Sequence, residues 1–158
     1  MTIAAFTLAR GKSLQHQVSE AEWEARVDLA AAHRALTHYG VDDLTYNHLS
    51  VRVPDEPDKM LIKPFDFMFE EVTASSLQKY CLDGAPGQDN LPELKGGGLV
   101  IHAGILKARE DINVVFHTHT PAAMGVSSHK DGLLPLTQHS MRFFERIRYH
   151  DFGGFEFD

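Results

Sequence analysis

With 158 residues, 43% of them hydrophobic and 23% charged, the chain has the composition of one globular domain with a core of ordinary size. A formal charge of −7 and a pI near 5.8 argue against a nucleic-acid backbone as partner and leave a small molecule or another protein. Cys81 is the single cysteine, which excludes an intrachain disulfide, and no stretch approaches the ~20 apolar residues of a membrane span, so a cytoplasmic protein is expected.

Residues 1–18 show little periodicity and read as an N-terminal arm, with the domain proper over 19–158. Ser19-Glu20-Ala21-Glu22 has the Ser-x-x-Glu form of a capping box. The Ala-rich run that follows carries Trp23, Val27, Ala30 and Ala31 at helical spacing, and Gly40 supplies the stop. The pattern then changes to period two. Leu49, Val51 and Val53 alternate with His48, Ser50 and Arg52, which predicts a half-buried strand; Pro54 to Asp58 turns the chain and Met60-Leu61-Ile62 pairs back as a hairpin.

A further short strand is expected over Leu77 to Leu82, and a loop over Asp83 to Gly87. Gly96-Gly97-Gly98 then opens a predicted helix over 99–109 with an apolar stripe at 101, 105 and 108. A glycine-rich helix start can receive an anion, but the Lys-Ser/Thr of a phosphate loop and the spacing of a dinucleotide fingerprint are both missing. A strand over 113–119, a helix from Pro121 and a strand over Leu133 to Thr137 complete the prediction, giving alternating elements on a sheet that the hairpin makes mixed.

Within this order, Val114-Val115-Phe116-His117-Thr118-His119-Thr120-Pro121 feeds two histidines, spaced i and i+2, into a turn that Pro121 opens as a helix. In an extended chain residues two apart share a face, roughly 6.5–7 Å apart, so two imidazoles can converge on one divalent ion. The alternative is a strand end carrying two solvated imidazoles, since the chain holds ten histidines. A strand's carboxyl end is also where α/β sheets place ligands.

Several of these pieces together resemble the class II aldolase/adducin family, most closely its adducin-like branch. They are Tyr39-Gly40, Tyr46-Asn47-His48-Leu49-Ser50-Val51-Arg52, Met60-Leu61-Ile62-Lys63-Pro64, His102 ahead of Arg109, and Val114 to His119 with the Thr-Pro-Ala that follows. Gly132-Leu133-Leu134-Pro135 and Tyr149-His150-Asp151 add to the match. The resemblance implies a three-layer αβα domain on a mixed, mainly antiparallel sheet. It also implies a homo-oligomer, commonly a tetramer, with sites between subunits.

Carried over to this chain, the resemblance makes His117 and His119 ligands of a divalent metal, most readily zinc, with manganese or iron as alternatives. It matches Asn47 to a substrate-contacting asparagine, with a bond to a turn backbone as the alternative, while Lys63 and the amides of Gly97 and Gly98 could hold a carboxylate or another anion of the substrate. In the family's aldolases the metal acts as Lewis acid on a substrate carbonyl and stabilises the enediolate formed when a carbon–carbon bond breaks.

Three departures follow from the same comparison. The family's third histidine comes from a downstream Asn-His-Gly segment that this chain does not contain, so a truncated form is expected, with His102, His139, His150 or Glu145 as substitutes. The glutamate acid/base position is Gly98, which leaves the catalytic group unassigned and makes Glu93 its one nearby replacement; such a group is worth roughly 10²–10⁴ in rate. Hydroxyl donors of the phosphate grip are replaced by Lys63-Pro64-Phe65-Asp66 and Gly96-Gly97, and Ser140 stands where some aldolases carry a tyrosine. A small hydroxy- or keto-acid is therefore the expected substrate, handled by aldol cleavage or decarboxylation. The alternatives are a non-catalytic, adducin-like association protein and a truncated relic.

Overall fold

A computed structural model describes residues 13–151. Of the expected arm, residues 1–12 lie outside the described residues; the remainder forms a turn tied to the domain by Leu14 N–H donating to Ser75 Oγ at 3.3 Å. Helix α1 spans Glu20–His38 and is capped as expected by Ser19, whose Oγ accepts from Glu22 N–H at 3.1 Å. The Glu22 carboxylate does not reach back to complete a box. It bonds Arg26 Nε and Lys79 Nζ instead, each at 2.8 Å.

This redirection explains why the helix buries a different face from the one its apolar residues suggest. Glu22, Arg26, Leu29, Ala30 and His33 point inward, while Val27 is 44% exposed and Ala31 is exposed. Three of the inward positions are polar, so a hydrophobic count cannot see them. At the far end Gly40 adopts φ +66°, and its N–H and that of Val41 bond the carbonyls of Thr37 and Leu36 at 2.9 and 2.8 Å. This pair of bonds is a Schellman motif, which requires a left-handed residue there.

Four strands follow: β1 His48–Val53, β2 Glu56–Ile62, β3 Gln78–Cys81 and β4 Val114–His117, in the spatial order β3-β2-β1-β4. Every pairing among them is antiparallel, including β1 with β4, where His48 faces His117 and Ser50 faces Val115. The hairpin falls where the alternation predicts, with Val51 opposite Leu61 and a bulge at Arg52/Val53.

The expected three layers are present. On one side of the sheet Leu49, Val53 and Leu61 pack with Leu29, Ala30, Phe69, Val72 and Leu77. On the other, Met60 and Val115 pack with Leu82, Ala103 and Leu106. Because both faces are covered, β1 is not half solvated as alternation suggests. Ser50 is fully buried, and Arg52 donates to the carbonyls of Leu106, Arg109 and Ile112.

The second covering layer departs from the expected α-helix over 99–109. Gly98–Ala103 winds as a π-helix, and only Gly104–Ala108 is α-helical, here α2. Winding from i to i+5 changes which residues share a face, so His102, Ala103 and Leu106 are buried while Ile105 is 38% exposed and Ala108 is exposed. The predicted stripe at 101, 105 and 108 is therefore not the core face.

Helix α3, Pro121–Ser127, starts where Pro121 predicts, with Thr120 Oγ1 accepting from Ala123 N–H at 3.2 Å. The strand expected over Leu133 to Thr137 is absent. Gly132 takes φ +61°, Pro135 interrupts, and Leu136 N–H turns back to Leu134 C=O at 2.8 Å, so no ladder forms. Thr137 instead caps a one-turn helix, α4, over Gln138–Met141. No residue of 121–151 is buried.

Candidate functional site

β4 ends at His117, and His119 sits just beyond it, so the extended geometry does place both rings on one side. Their Nε2 atoms lie 2.8 Å apart with the rings edge to face. On its other nitrogen, Nδ1, His119 donates to the Asp43 carboxylate at 2.9 Å. A carboxylate only accepts, so this bond leaves His119 Nε2 bare and aimed at its partner.

His48, the first residue of β1 and the cross-strand partner of His117, stacks on it with ring centroids 4.6 Å apart and planes 15° from parallel. Behind His48 lies a buried line. His48 Nδ1 bonds His102 Nε2 at 2.5 Å, and His102 Nδ1 bonds Ser50 Oγ at 2.5 Å. The π-helix carries His102 under the sheet, and antiparallel pairing of β1 with β4 brings His48 to the pair.

Burial favours the neutral form of His48, His102 and His117. Burial pushes His48 down to about 3, with the charges of His102, His117, Lys63 and His119 adding to it. Burial likewise holds His102 at about 4 and lowers His117, which is also pushed by His119. Lys63 is 4% exposed, and desolvation brings its ammonium down to about 8. Its three contacts are the carbonyls of Thr45, Pro64 and Phe65, so it clamps two loops beside His48.

The other sequence-predicted positions sit differently. Asn47 is 1% exposed, and both its amide atoms are sealed with no hydrogen-bond partner. The turn-backbone bond allowed for it is not made. Gly97 and Gly98 begin the π-helix, where a Cβ on Gly98 meets only Ile62 and Leu94 side chains at 3.5 and 3.9 Å. Glu93 is paired with Lys95 at the surface.

None of the candidate third ligands reaches the pair. His102 is occupied by Ser50 and His48, His139 and Glu145 are exposed, and His150 Nδ1 donates to Asp151 C=O at 2.6 Å. Among the described residues, no three His, Cys, Asp or Glu side chains form a group able to hold an ion by themselves. The pair alone still fits the donor half of a site. Its 2.8 Å gap is less than twice the roughly 2.0–2.1 Å zinc–nitrogen distance, and a carboxylate fixes the second nitrogen of one ring.

Asp43, His48 and Ser50 were not singled out by sequence reasoning. His48 offered one usable signal, since it opens an alternating strand, but its register against His117 is not written locally. Asp43 offered none, lying in a loop far from His119 in the chain.

Residues 27–157 match the family described as the Class II Aldolase and Adducin N-terminal domain. A Caulobacter vibrioides protein whose name places it in aldolase class 2 is 44% identical over 142 residues, 90% of this chain and 55% of that protein. Alpha-adducin of Rattus norvegicus is 40% identical over 132 residues, 82% of this chain and 18% of that protein. The crystal structure of an aldolase II superfamily protein from Pseudomonas syringae superposes with a TM-score of 0.85 at 42% identity, covering 92% of this chain and 59% of that one. The chain thus spans a little over half the length of the bacterial relatives. Among the described residues no helix is long and apolar enough to cross a membrane.

Proposed function

The chain belongs to the class II aldolase and adducin family, and from that premise we propose that it is a metal-dependent carbon–carbon lyase. It acts on a small hydroxy- or keto-acid in the cytoplasm, by aldol cleavage or decarboxylation. The observation that carries this reading is the converging Nε2 pair of His117 and His119, with His119 oriented by Asp43. His117 and His119 would hold a divalent ion, zinc or otherwise manganese or iron, which would supply Lewis-acid stabilisation of developing negative charge.

The chain's own residues set the rest of the chemistry. Burial lowers His117, which favours the neutral ring whose lone pair an ion needs. Lys63 places a positive charge beside His48, which favours an acid over a neutral substrate, while Gly98 lies beside Ile62 and Leu94 and Gly97 beside Ile101 with no side chain of their own. A Gly at 98 removes a glutamate acid/base, which favours reactions where proton transfer is less demanding than in sugar-phosphate cleavage. The test is metal content together with turnover of 3-hydroxy- and 3-keto-acids in the presence of zinc, manganese or iron. Stoichiometric metal that is lost in His119→Ala is expected; a metal-free chain that turns over none of these acids sinks the reading.

The second reading is association, as an adducin-like protein without turnover. It is favoured by the β4 edge, which has no partner strand among the described residues and exposes Val114 by 47% and Phe116 by 51%. Sedimentation distinguishes the readings in part: a tetramer with no bound metal supports association alone.

A further inference from the structure

Ser50 is fully buried, and among the described residues its hydroxyl has one partner, His102 Nδ1 at 2.5 Å. A hydroxyl carries one proton, and leaving a sealed donor unused costs more than leaving a lone pair unused, so Ser50 donates and His102 Nδ1 accepts. His102 is then the Nε2–H tautomer and donates to His48 Nδ1. One proton remains for His48, and it sits on Nε2. That atom has no partner among the described residues, yet it is not among the buried unpartnered atoms, so it opens to solvent beside the stacked ring of His117.

Resting on the reading of His117 and His119 as a metal-binding pair, we propose that His48 donates its Nε2–H to an oxyanion oxygen, carboxylate or enolate, of an acid bound there, with His102 and Ser50 as positioning residues. A protonated Nε2 has no lone pair for an ion, so His48 complements the pair as a donor and is not its missing ligand. A fixed N–H aimed at developing negative charge needs no rearrangement as that charge forms.

The tautomer is read on the whole chain without metal. Long-range proton–nitrogen spectra at neutral pH are expected to show His48 with bare Nδ1 and protonated Nε2. Ser50→Ala, a smaller side chain in the same place, is expected to mix or reverse that pattern. A wild-type His48 with bare Nε2 overturns the proposal. Binding is read on the zinc-loaded chain with oxalate as probe. His48→Phe, which keeps the stacked ring, is expected to weaken oxalate about tenfold to a hundredfold with zinc affinity unchanged, as befits one hydrogen bond to a charged group. His48→Gln, which keeps an N–H, is expected to recover most of the loss. Equal oxalate affinity in His48→Phe overturns the donor role. A wild-type chain that takes no zinc overturns the metal reading alone, because the His48 nitrogen shifts still decide the donor.

Discussion

Toward one edge of the sheet, Glu22, Arg26, Lys79 and Glu56 form a charged cluster in which every bond is spent inside the protein. Arg26, 1% exposed, donates to Glu22, to the carbonyls of Ala74 and Leu77, and to Gln88. Lys79 bridges Glu22 and Glu56. The loop at 85–88 covers this edge, with Cys81 N–H donating to Ala85 and Gly87 N–H to Lys79. Toward the other edge, Ser50, His102, His48, His117, His119 and Asp43 form a cluster in which burial lowers His48, His102 and His117 and whose outer nitrogens stop short of any further protein partner. The first cluster is closed and holds α1 to the sheet; the second is open and faces outward. Polarity and burial alone do not separate a structural cluster from a functional one. What separates them here is whether the last donor or acceptor is already used.

Acid titration breaks this comparison most strongly, because it attacks buried neutral histidines. Burial holds His33 at about 4 against an ordinary 6.5 and His102 at about 4 as well. A histidine with a lowered folded pKa binds fewer protons folded than unfolded. Its contribution is therefore complete above pH 6.5 and is lost as pH falls toward 4, by on the order of 3 kcal/mol for each. Denaturant midpoints measured from pH 7 to pH 4 are expected to fall steeply, and a flat profile contradicts the neutral burial of both rings.

Arg26→Ala comes next, since it strands Glu22, 3% exposed, with Lys79 as its remaining partner. A loss of about 3–5 kcal/mol is expected in chemical denaturation, with zinc affinity of the folded fraction unchanged. Asp43→Asn tests the open cluster in the reverse sense: it lowers zinc affinity by about 10–100-fold in calorimetry while leaving the denaturation midpoint nearly fixed. Gly40→Ala lies outside both clusters and costs about 1 kcal/mol through its left-handed φ alone. A change of zinc affinity in that variant removes the claim that fold and site respond separately.

Elements that carry their own signal were readable in advance. Ser19, Gly40, the 49–53 alternation, Thr120-Pro121 and the His117/His119 spacing all depend on neighbours within a turn or a strand. Each was found where expected. What was not readable depended on distant partners. The inward face of α1 is set by Lys79 and Gln88, the winding at 98–103 by what lies beneath it, and the tautomer of His119 by Asp43. Leu133 to Thr137 misled because its composition suits a strand while no strand is placed to receive it. Asn47 drew attention by resemblance, yet its neighbour His48 is the residue that meets the histidine pair.

The register of β1 against β4 has a kinetic consequence. His48 meets His117 only when two strands far apart in the chain have closed the longest loop in the sheet. A slip of one residue would set Leu49 across from His117 and turn His117 to the α1 side, away from His48 and His102. The stacked imidazoles therefore serve as a clock hand for folding: their signals are expected only once the last strand has docked in the right frame, after the hairpin and α1 have already formed.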